Sequence, residues 1–104
     1  MKDYDYLVFW LDYFNKNLPR AKGRRVRKEY AIFDPTISDL VEAARQSGYN
    51  LDQEQINEGA RYPRRAFVKS GYIAIPKKEQ VRKNLLLITL AQRMLKNRTR
   101  RLKQ

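Results

Sequence analysis

Hydrophobic and polar positions recur with different periods along the chain, and each change of period marks a new predicted element. Residues 5–14 are almost all aromatic, β-branched or leucine, which predicts a first strand that is buried over much of its length. Alternation within this strand places Trp10 and Asp12 on one face and Phe9 and Tyr13 on the other. Tyr13 therefore lies at the exit of the strand, beside the loop that follows.

A capped amphipathic helix is predicted in the middle of the chain. Thr-Ile-Ser-Asp at residues 36–39 has the spacing of a capping box, in which the Thr36 hydroxyl and the Asp39 carboxylate each bond the other residue's amide. Apolar residues then follow at the spacing of one helical face, namely Ile37, Leu40, Val41 and Ala44. Gly48 is suited to end this helix, because glycine readily adopts the left-handed conformation of a helix C-terminus.

The second half of the chain predicts two more strands and a second helix. Residues 49–56 alternate weakly and predict an edge strand, whereas residues 71–76 predict a third strand that Pro76 ends. From Lys78 onward the composition changes to helix formers. Two apolar lines run along this helix: Val81, Leu85, Ile88, Gln92 and Leu95 form one, and Leu87, Ala91 and Met94 lie beside it.

These elements predict an α/β (α+β) fold in the order strand-helix-strand-strand-helix. A three-stranded antiparallel sheet with both helices packed on one face is the economical arrangement, because each helix has an apolar stripe to bury. We predict one domain over residues 1–97 and a basic tail over residues 98–104. If the first strand lies in the middle of the sheet, its exit loop and the loop between the second and third strands meet at one end.

The charge balance favours a binding protein over an enzyme. The 104 residues include 23 Lys and Arg against 11 Asp and Glu, and the formal charge of +12 makes nucleic acid the default partner. The absence of histidine and cysteine removes the commonest general base and the usual zinc ligands, so we predict no catalytic residue, metal site or cofactor. Without a signal-peptide pattern or a long apolar run, we expect a soluble, cytoplasmic protein that does not insert into membranes.

Cations cluster in two predicted loops. The first basic loop, residues 16–28, has no acid and bends most tightly at Gly23. Its cations are Lys16, Arg20, Lys22, Arg24, Arg25, Arg27 and Lys28. Such a run is typical of a localisation signal, a heparin-like patch or a nucleic-acid surface. The second basic loop, residues 57–69, interleaves Tyr62 and Phe67 with cations, a composition suited to stacking on RNA bases. These cations are Arg61, Arg64, Arg65 and Lys69.

Several short motifs, taken in order, resemble the signal recognition particle 19 kDa protein family of archaea and eukaryotes. They are Tyr-Phe-Asn at residues 13–15, Ala-Lys-Gly-Arg-Arg-Val at 21–26, Asp-Pro-Thr at 34–36, Leu-Val-Glu-Ala-Ala at 40–44, Gly48, Tyr-Pro-Arg at 62–64, and Gly71 before a strand. Each motif alone is common, but their shared order up to about Pro76 is specific. Two departures are Arg65-Ala66-Phe67, where the family often has a tryptophan, and Tyr72, where it usually has an arginine.

The resemblance implies a protein that binds signal recognition particle RNA at the tetraloop tips of helices 6 and 8. Holding these tips together would promote assembly of the 54 kDa GTPase subunit, which joins the particle mainly through RNA. Carried over to this chain, the implied RNA contacts are Tyr13, Asn15, Gly23, Arg24, Arg25, Tyr62, Arg64 and Lys69. Because cations bind RNA phosphates, the candidate RNA-binding residues also include Lys16, Arg20, Lys22, Arg61 and Arg65. We expect a monomer.

Other interpretations remain open at this point. Tyr13 and Tyr62 are as well suited to packing as to contact with RNA, whereas Phe67 and Trp10 are better suited to the core. A ribosomal or other structural RNA-binding protein without this RNA specificity is the alternative function. A small metal-dependent nuclease would need a convergent acidic cluster, and the sequence does not indicate one.

Overall fold

The computed structural model describes residues 6–77 and 82–102, and its elements follow the predicted order of strand, helix, strand, strand and helix. The strands are β1 at Tyr6–Trp10, β2 at Ile56–Asn57 and β3 at Tyr72–Pro76. The helices are α1 at Ile37–Gln46 and α2 at Lys83–Leu102. The predicted α+β class with a three-stranded antiparallel sheet and two helices is therefore confirmed.

The sheet has the order β1-β3-β2, so the central strand is β3 and not β1. Leu7 pairs with Ile75 and Phe9 with Ile73, while Ile56 pairs with Ile73 from the other side. Three consecutive residues of β3, from Ile73 to Ile75, are buried, as expected for a strand with neighbours on both edges. The first strand is thus not in the middle of the sheet, which was the condition we set for the two loops to meet at one end. The second and third strands do form the predicted antiparallel pair.

The first strand is shorter than predicted, because it ends at Trp10 and residues Leu11–Phe14 form a 3-10 turn. All the residues of this turn are buried, including Asp12. A strand would have directed alternate side chains to opposite faces, whereas the turn directs them all inward. The Leu11 amide still donates to the Gly71 carbonyl at 3.0 Å, so the chain leaves the sheet directly after that bond.

The second strand is also shorter than the predicted span of residues 49–56. Only Ile56–Asn57 pair with β3, and Gln53–Gln55 form a 3-10 turn. The Gln55 side chain explains this geometry, because its oxygen accepts from the Asp52 amide at 2.9 Å while its nitrogen donates to the Ala74 carbonyl at 3.1 Å. A side chain thus takes the place of strand pairing at this edge of the sheet.

The predicted capping box and glycine stop of α1 are confirmed. The Asp39 amide donates to Thr36 Oγ1 at 3.1 Å, and the Thr36 amide donates to Asp39 Oδ2 at 3.0 Å. At the other end Gly48 has a φ of 96°, and the amides of Gly48 and Tyr49 donate to the Arg45 and Ala44 carbonyls. This pattern is a Schellman motif, which satisfies carbonyls that the helix leaves unpaired.

The second helix buries one of its two predicted apolar lines and exposes the start of the described part of the other. Leu87, Ala91 and Met94 are in the core. Leu85 is 62% exposed and Ile88 41% exposed, so this part of their line faces away from the core, whereas Leu95 is partly buried against it. Leu86 and Leu90 are buried in their place. The predicted start of the helix at residue 78 lies outside the described residues. No helix in the described parts of the chain is long and apolar enough to cross a membrane.

The C-terminal end of α2 is tied to the start of α1 through Asp39. Where a basic tail was predicted from residue 98, the helix continues through Leu102. Arg98 donates to Asp39 Oδ2 at 2.8 Å and Arg101 to Asp39 Oδ1 at 3.0 Å. Burial alone would raise the pKa of Asp39, but the Thr36 amide and the two guanidiniums outweigh burial and hold this pKa below its ordinary value.

The lowered pKa of Asp39 predicts a stability contribution that acid removes. A carboxyl group with a depressed folded-state pKa stabilises the fold above its ordinary pKa, and this contribution is lost as pH falls through the folded value. We expect Asp39→Asn to lower the free energy of unfolding by about 1.5 kcal/mol at pH 7. Urea unfolding between pH 7 and about pH 3 should show the wild type losing this advantage below about pH 4. A gap that stays constant with pH would contradict the assignment.

Candidate nucleic-acid interface

The two basic loops lie against each other in the fold. Arg64 Nη1 of the second loop donates to the Ala21 carbonyl of the first at 3.2 Å. Gly23, with a φ of 134°, lies so close to the Tyr62 ring that an added Cβ would be 2.9 Å from Tyr62 Cε2. The predicted adjacency of the loops is confirmed, although β3 and not β1 is central. The two loops can meet because the chain leaves the sheet at Leu11, beside Gly71, where the second loop returns to the sheet.

A buried carboxylate beneath the junction holds the end of the second basic loop. Asp12 Oδ1 accepts from Arg65 Nη1 at 2.9 Å and Asp12 Oδ2 accepts from the Ser70 hydroxyl at 3.1 Å. Burial raises the pKa of Asp12, and the bond from Ser70 and the charge of Arg65 offset only part of that rise. The Arg65 guanidinium is therefore engaged within the protein and compensates a buried charge.

Aromatic rings fill the space between the loops and the sheet. Tyr62 lies with its ring centroid 5.2 Å from that of Trp10 and meets Tyr13 edge-on at 5.8 Å. Tyr13 is 4% exposed and Tyr62 8% exposed, and burial raises the pKa of Tyr13. The outer side of Tyr13 is covered by Arg25, whose guanidinium carbon is 4.6 Å from the ring centroid. Both tyrosines are therefore packing residues here, without a free face on which a base could stack.

The most buried cation of the first loop is Arg24, which is 8% exposed. Arg24 Nε donates to the Leu18 carbonyl at 2.8 Å, and Arg24 Nη1 donates to the Val26 carbonyl. Its guanidinium thus crosses the loop and holds the two sides at a fixed distance. We conclude that Arg24 shapes the first basic loop from inside and presents little of its own surface.

The remaining loop cations are directed outward. Those that are exposed are Arg20, Lys22, Arg25, Arg27, Lys28, Arg61, Arg64 and Lys69. An open cavity of about 350 Å³ lies where the two loops meet α2, and Arg20, Arg25 and Arg64 line it together with Asn84. No acidic side chain lines this cavity. Several guanidiniums facing one concave space form a site for an anion with more than one charged oxygen.

Asn15 and Lys16 lie apart from this cavity. Asn15 Oδ1 accepts from the Asn17 amide at 2.9 Å and so shapes the turn locally. The Lys16 amide donates to the Ile32 carbonyl at 2.7 Å, and its ammonium lies 5.1 Å from the Phe33 ring centroid. The fold therefore brings Arg20, Arg24, Arg25 and Arg64 to the cavity at the junction of the loops, but Asn15 and Lys16 do not line it.

Sequence reasoning misjudged one residue of this surface and missed two. Phe67 was considered for stacking on RNA bases but judged better suited to the core, yet it is 80% exposed, with Arg65 6.0 Å from its ring centroid. Its sequence neighbours include no apolar partner at helical spacing, and this was the available signal. From α2, Asn84 lines the cavity, and Lys83 extends over the Tyr13 ring at 5.7 Å. Burial, with the nearby charge of Arg25, lowers the pKa of Lys83.

A metal-dependent reaction has no candidate site in the part of the chain that the structure describes. Within residues 6–77 and 82–102, no group of three or more Asp and Glu side chains could hold a metal ion. Asp12 is committed to Arg65 and Ser70, and Asp39 is committed to Arg98 and Arg101. The surface is instead organised for binding a polyanion.

Comparison with known proteins finds a family whose members are similar to this chain over most of its length. A family model described as SRP19 protein matches residues 8–102. The signal recognition particle 19 kDa protein of Methanopyrus kandleri is 33% identical over 88 residues, which cover 85% of this chain and 82% of that protein. The protein of the same description from Ignicoccus hospitalis is 34% identical over 93 residues, or 89% of this chain and 87% of that one.

Solved structures share the fold. A crystal structure of SRP19 in complex with the S domain of signal recognition particle RNA superposes with a TM-score of 0.70 at 27% identity, over 85% of this chain and 95% of that one. A structure of SRP19 from Pyrococcus furiosus has a TM-score of 0.74 at 22% identity and covers 95% of this chain and 98% of that one. The second likeness supports the fold alone.

Proposed function

The chain belongs to the SRP19 protein family, and from this premise we propose that it binds signal recognition particle RNA as a structural component of the particle. The observation that carries the proposal is the junction of the two basic loops, where exposed guanidiniums surround one open cavity. RNA loops crowd phosphates together, and a concave cluster of forked cations is complementary to them.

The loop residues divide into those that bind and those that hold the binders in place. Arg20, Arg25 and Arg64 are exposed and supply the forks. The buried candidates Tyr13, Gly23, Arg24 and Tyr62 fix the shape of the surface, together with the partly buried Arg65. A surface that is ordered before RNA arrives loses less conformational entropy on binding. This internal support is the physical contribution of the fold to RNA affinity.

At finer detail, the proposed RNA targets are the tetraloop tips of helices 6 and 8. Two adjoining basic loops are suited to two adjoining RNA tips, and joining them would promote binding of the 54 kDa GTPase subunit through the RNA. The protein acts as a monomer in the cytoplasm under this proposal. Family membership argues against the nuclease alternative, and it favours this RNA over ribosomal RNA.

A salt-controlled binding assay tests the target. Labelled S-domain RNA is titrated with the full chain at several KCl concentrations, beside RNA in which both tetraloops are replaced. We expect tighter binding to the native RNA at every salt concentration. We expect Arg25→Ala with Arg64→Ala to reduce the salt slope by roughly 1.4 to 1.8, because each lost phosphate contact removes roughly 0.7 to 0.9. Equal affinity for both RNAs would overturn the tetraloop target, and an unchanged slope would overturn the proposed cation surface.

Phe67 supplies a further prediction about the same surface. Because its ring is 80% exposed beside Arg65, we propose that it stacks on an unpaired base. Phe67→Ala should weaken RNA binding by roughly 1 to 3 kcal/mol without changing the salt slope. Phe67→Tyr keeps the ring and should bind almost as the wild type does. If both variants bind RNA as tightly as the wild type does, the ring does not contact RNA.

A further inference from the structure

The exposed line of α2 has the spacing of a helix-docking seam. Counting from Leu85, its members recur at intervals of three and four residues, and they are Leu85, Ile88, Gln92, Leu95 and Thr99. This is the a/d spacing of a heptad repeat, which presents one continuous stripe along a helix. Leu85 and Ile88 are strongly exposed, and Leu95 is partly buried at the edge of the core. The stripe lies away from the buried line of Leu86, Leu90 and Met94.

A groove runs beside this stripe. One cavity of about 590 Å³ is lined by Val26, Tyr30 and Ile88, among others. A second cavity of about 500 Å³ is lined by Tyr30, Leu95 and Thr99, so Tyr30 joins the two. The lining of these cavities extends from Asn84 to Arg100 along α2, which is about 24 Å at 1.5 Å per residue. That length matches about four turns of a second helix.

The charge around the groove is of one sign. Arg20, Arg25 and Arg27 line its first part, and Lys96 and Arg100 line its second. No acidic residue lines either cavity, and α2 itself contains none. A second copy of this chain would bring the same cations to the contact, and like charges in a shared interface are repelled. RNA would pair with the cations but would leave the apolar floor without a partner.

We propose that this groove docks an acidic amphipathic helix of a partner protein. Apolar residues of that helix at heptad spacing would cover Leu85, Ile88 and Leu95, and its carboxylates would face the cations of the rim. This function is separate from RNA binding, although Arg20 and Arg25 lie in both surfaces. A partner helix seated there would therefore adjoin bound RNA.

The test uses a designed acidic peptide of about 21 residues, or three heptads, with leucine at the a and d positions and glutamate at the flanking positions. Its matched control has the same charge, with serine at the a and d positions. Fluorescence anisotropy with the full chain should show the leucine peptide binding at least about tenfold more tightly than the serine peptide. Equal binding of the two peptides would show that the groove attracts them through its positive charge alone, and this result would overturn the proposal.

A variant locates the binding and separates it from the alternatives. Leu85→Ser with Ile88→Ser changes only exposed side chains, so the fold and the affinity for S-domain RNA should be retained, while peptide affinity falls at least about tenfold. Lys69→Ser with Phe67→Ser, on the second basic loop, should leave peptide binding unchanged. If the α2 variant loses RNA affinity by a similar factor, RNA covers the stripe. If sedimentation shows that the wild type is a dimer and that the Leu85→Ser, Ile88→Ser variant is a monomer, a second copy of the chain covers the stripe. Either of these two results overturns the proposal.

Discussion

Replacing Arg65 with methionine should lower the free energy of unfolding at pH 7 by roughly 3 to 5 kcal/mol, because it leaves the Asp12 carboxylate buried without its counter-charge. The methionine keeps most of the apolar stem, so the loss isolates the guanidinium. A domain of this size is stable by only about 5 to 15 kcal/mol, and the effect is a large part of that. Urea unfolding of the purified variant measures it directly.

The pH dependence of the free energy of unfolding of Arg65→Met identifies the cause of its lower stability. Without Arg65 the pKa of Asp12 rises further, so the folded state binds a proton more readily than the unfolded state does. The defect of Arg65→Met should therefore shrink as pH is lowered from 7, and adding Asp12→Asn should recover much of it at pH 7. Arg64→Met is the matched control, since Arg64 is exposed and should cost about 0.5 kcal/mol or less. Equal losses at the two positions would refute a buried ion pair.

Gly23→Ala should be the most disruptive small change in the first basic loop. Its φ of 134° is unfavourable for any side chain, and the new methyl group would lie 2.9 Å from Tyr62 Cε2 and 3.3 Å from Asp12 Cβ. Strain and overpacking together should cost roughly 2 to 4 kcal/mol. Because the methyl group pushes the two loops apart, affinity for S-domain RNA should fall as well, and both quantities are measurable on one preparation.

Gly48→Ala separates the two contributions. Gly48 also has a positive φ, at 96°, but nothing lies within 4 Å of an added Cβ. It should lose only about 1 kcal/mol from backbone strain and retain its RNA affinity. The difference between the two alanine variants is then due mainly to the contacts of the new methyl group with Tyr62 and Asp12. If Gly23→Ala costs no more than Gly48→Ala, the loops are not closely packed.

Arg24 illustrates why the identity of a basic residue does not reveal its role. In the sequence it is one cation among seven between residues 16 and 28, and it is indistinguishable from Arg25 next to it. In the fold its guanidinium donates to the carbonyls of Leu18 and Val26, whereas Arg25 lies on the outside over the Tyr13 ring. The position of the neighbouring backbone decides which of two adjacent arginines supports the loop and which is presented to a ligand.

Local signals predicted the elements whose formation depends on nearby residues. The capping box of Thr36 and Asp39 and the stop at Gly48 bounded α1 correctly, because their bonds join residues at most five apart. The third strand was also placed correctly, at Tyr72–Pro76. The second strand was overextended, because its pairing ends where the Gln55 side chain bonds Ala74, and sequence alternation carries no information on that bond.

By itself the sequence determined that this is a basic chain with a small α+β fold, because net charge depends on composition and local hydrogen bonding depends on short spacing. Only the tertiary structure decided which face of α2 is buried, that Tyr13 and Tyr62 are packing rings, and that Phe67 is exposed. These outcomes depend on partners far apart in the chain, as with Asp12 and Arg65, which are 53 residues apart. Burial is a property of the assembled fold, and local patterns indicate it only in part.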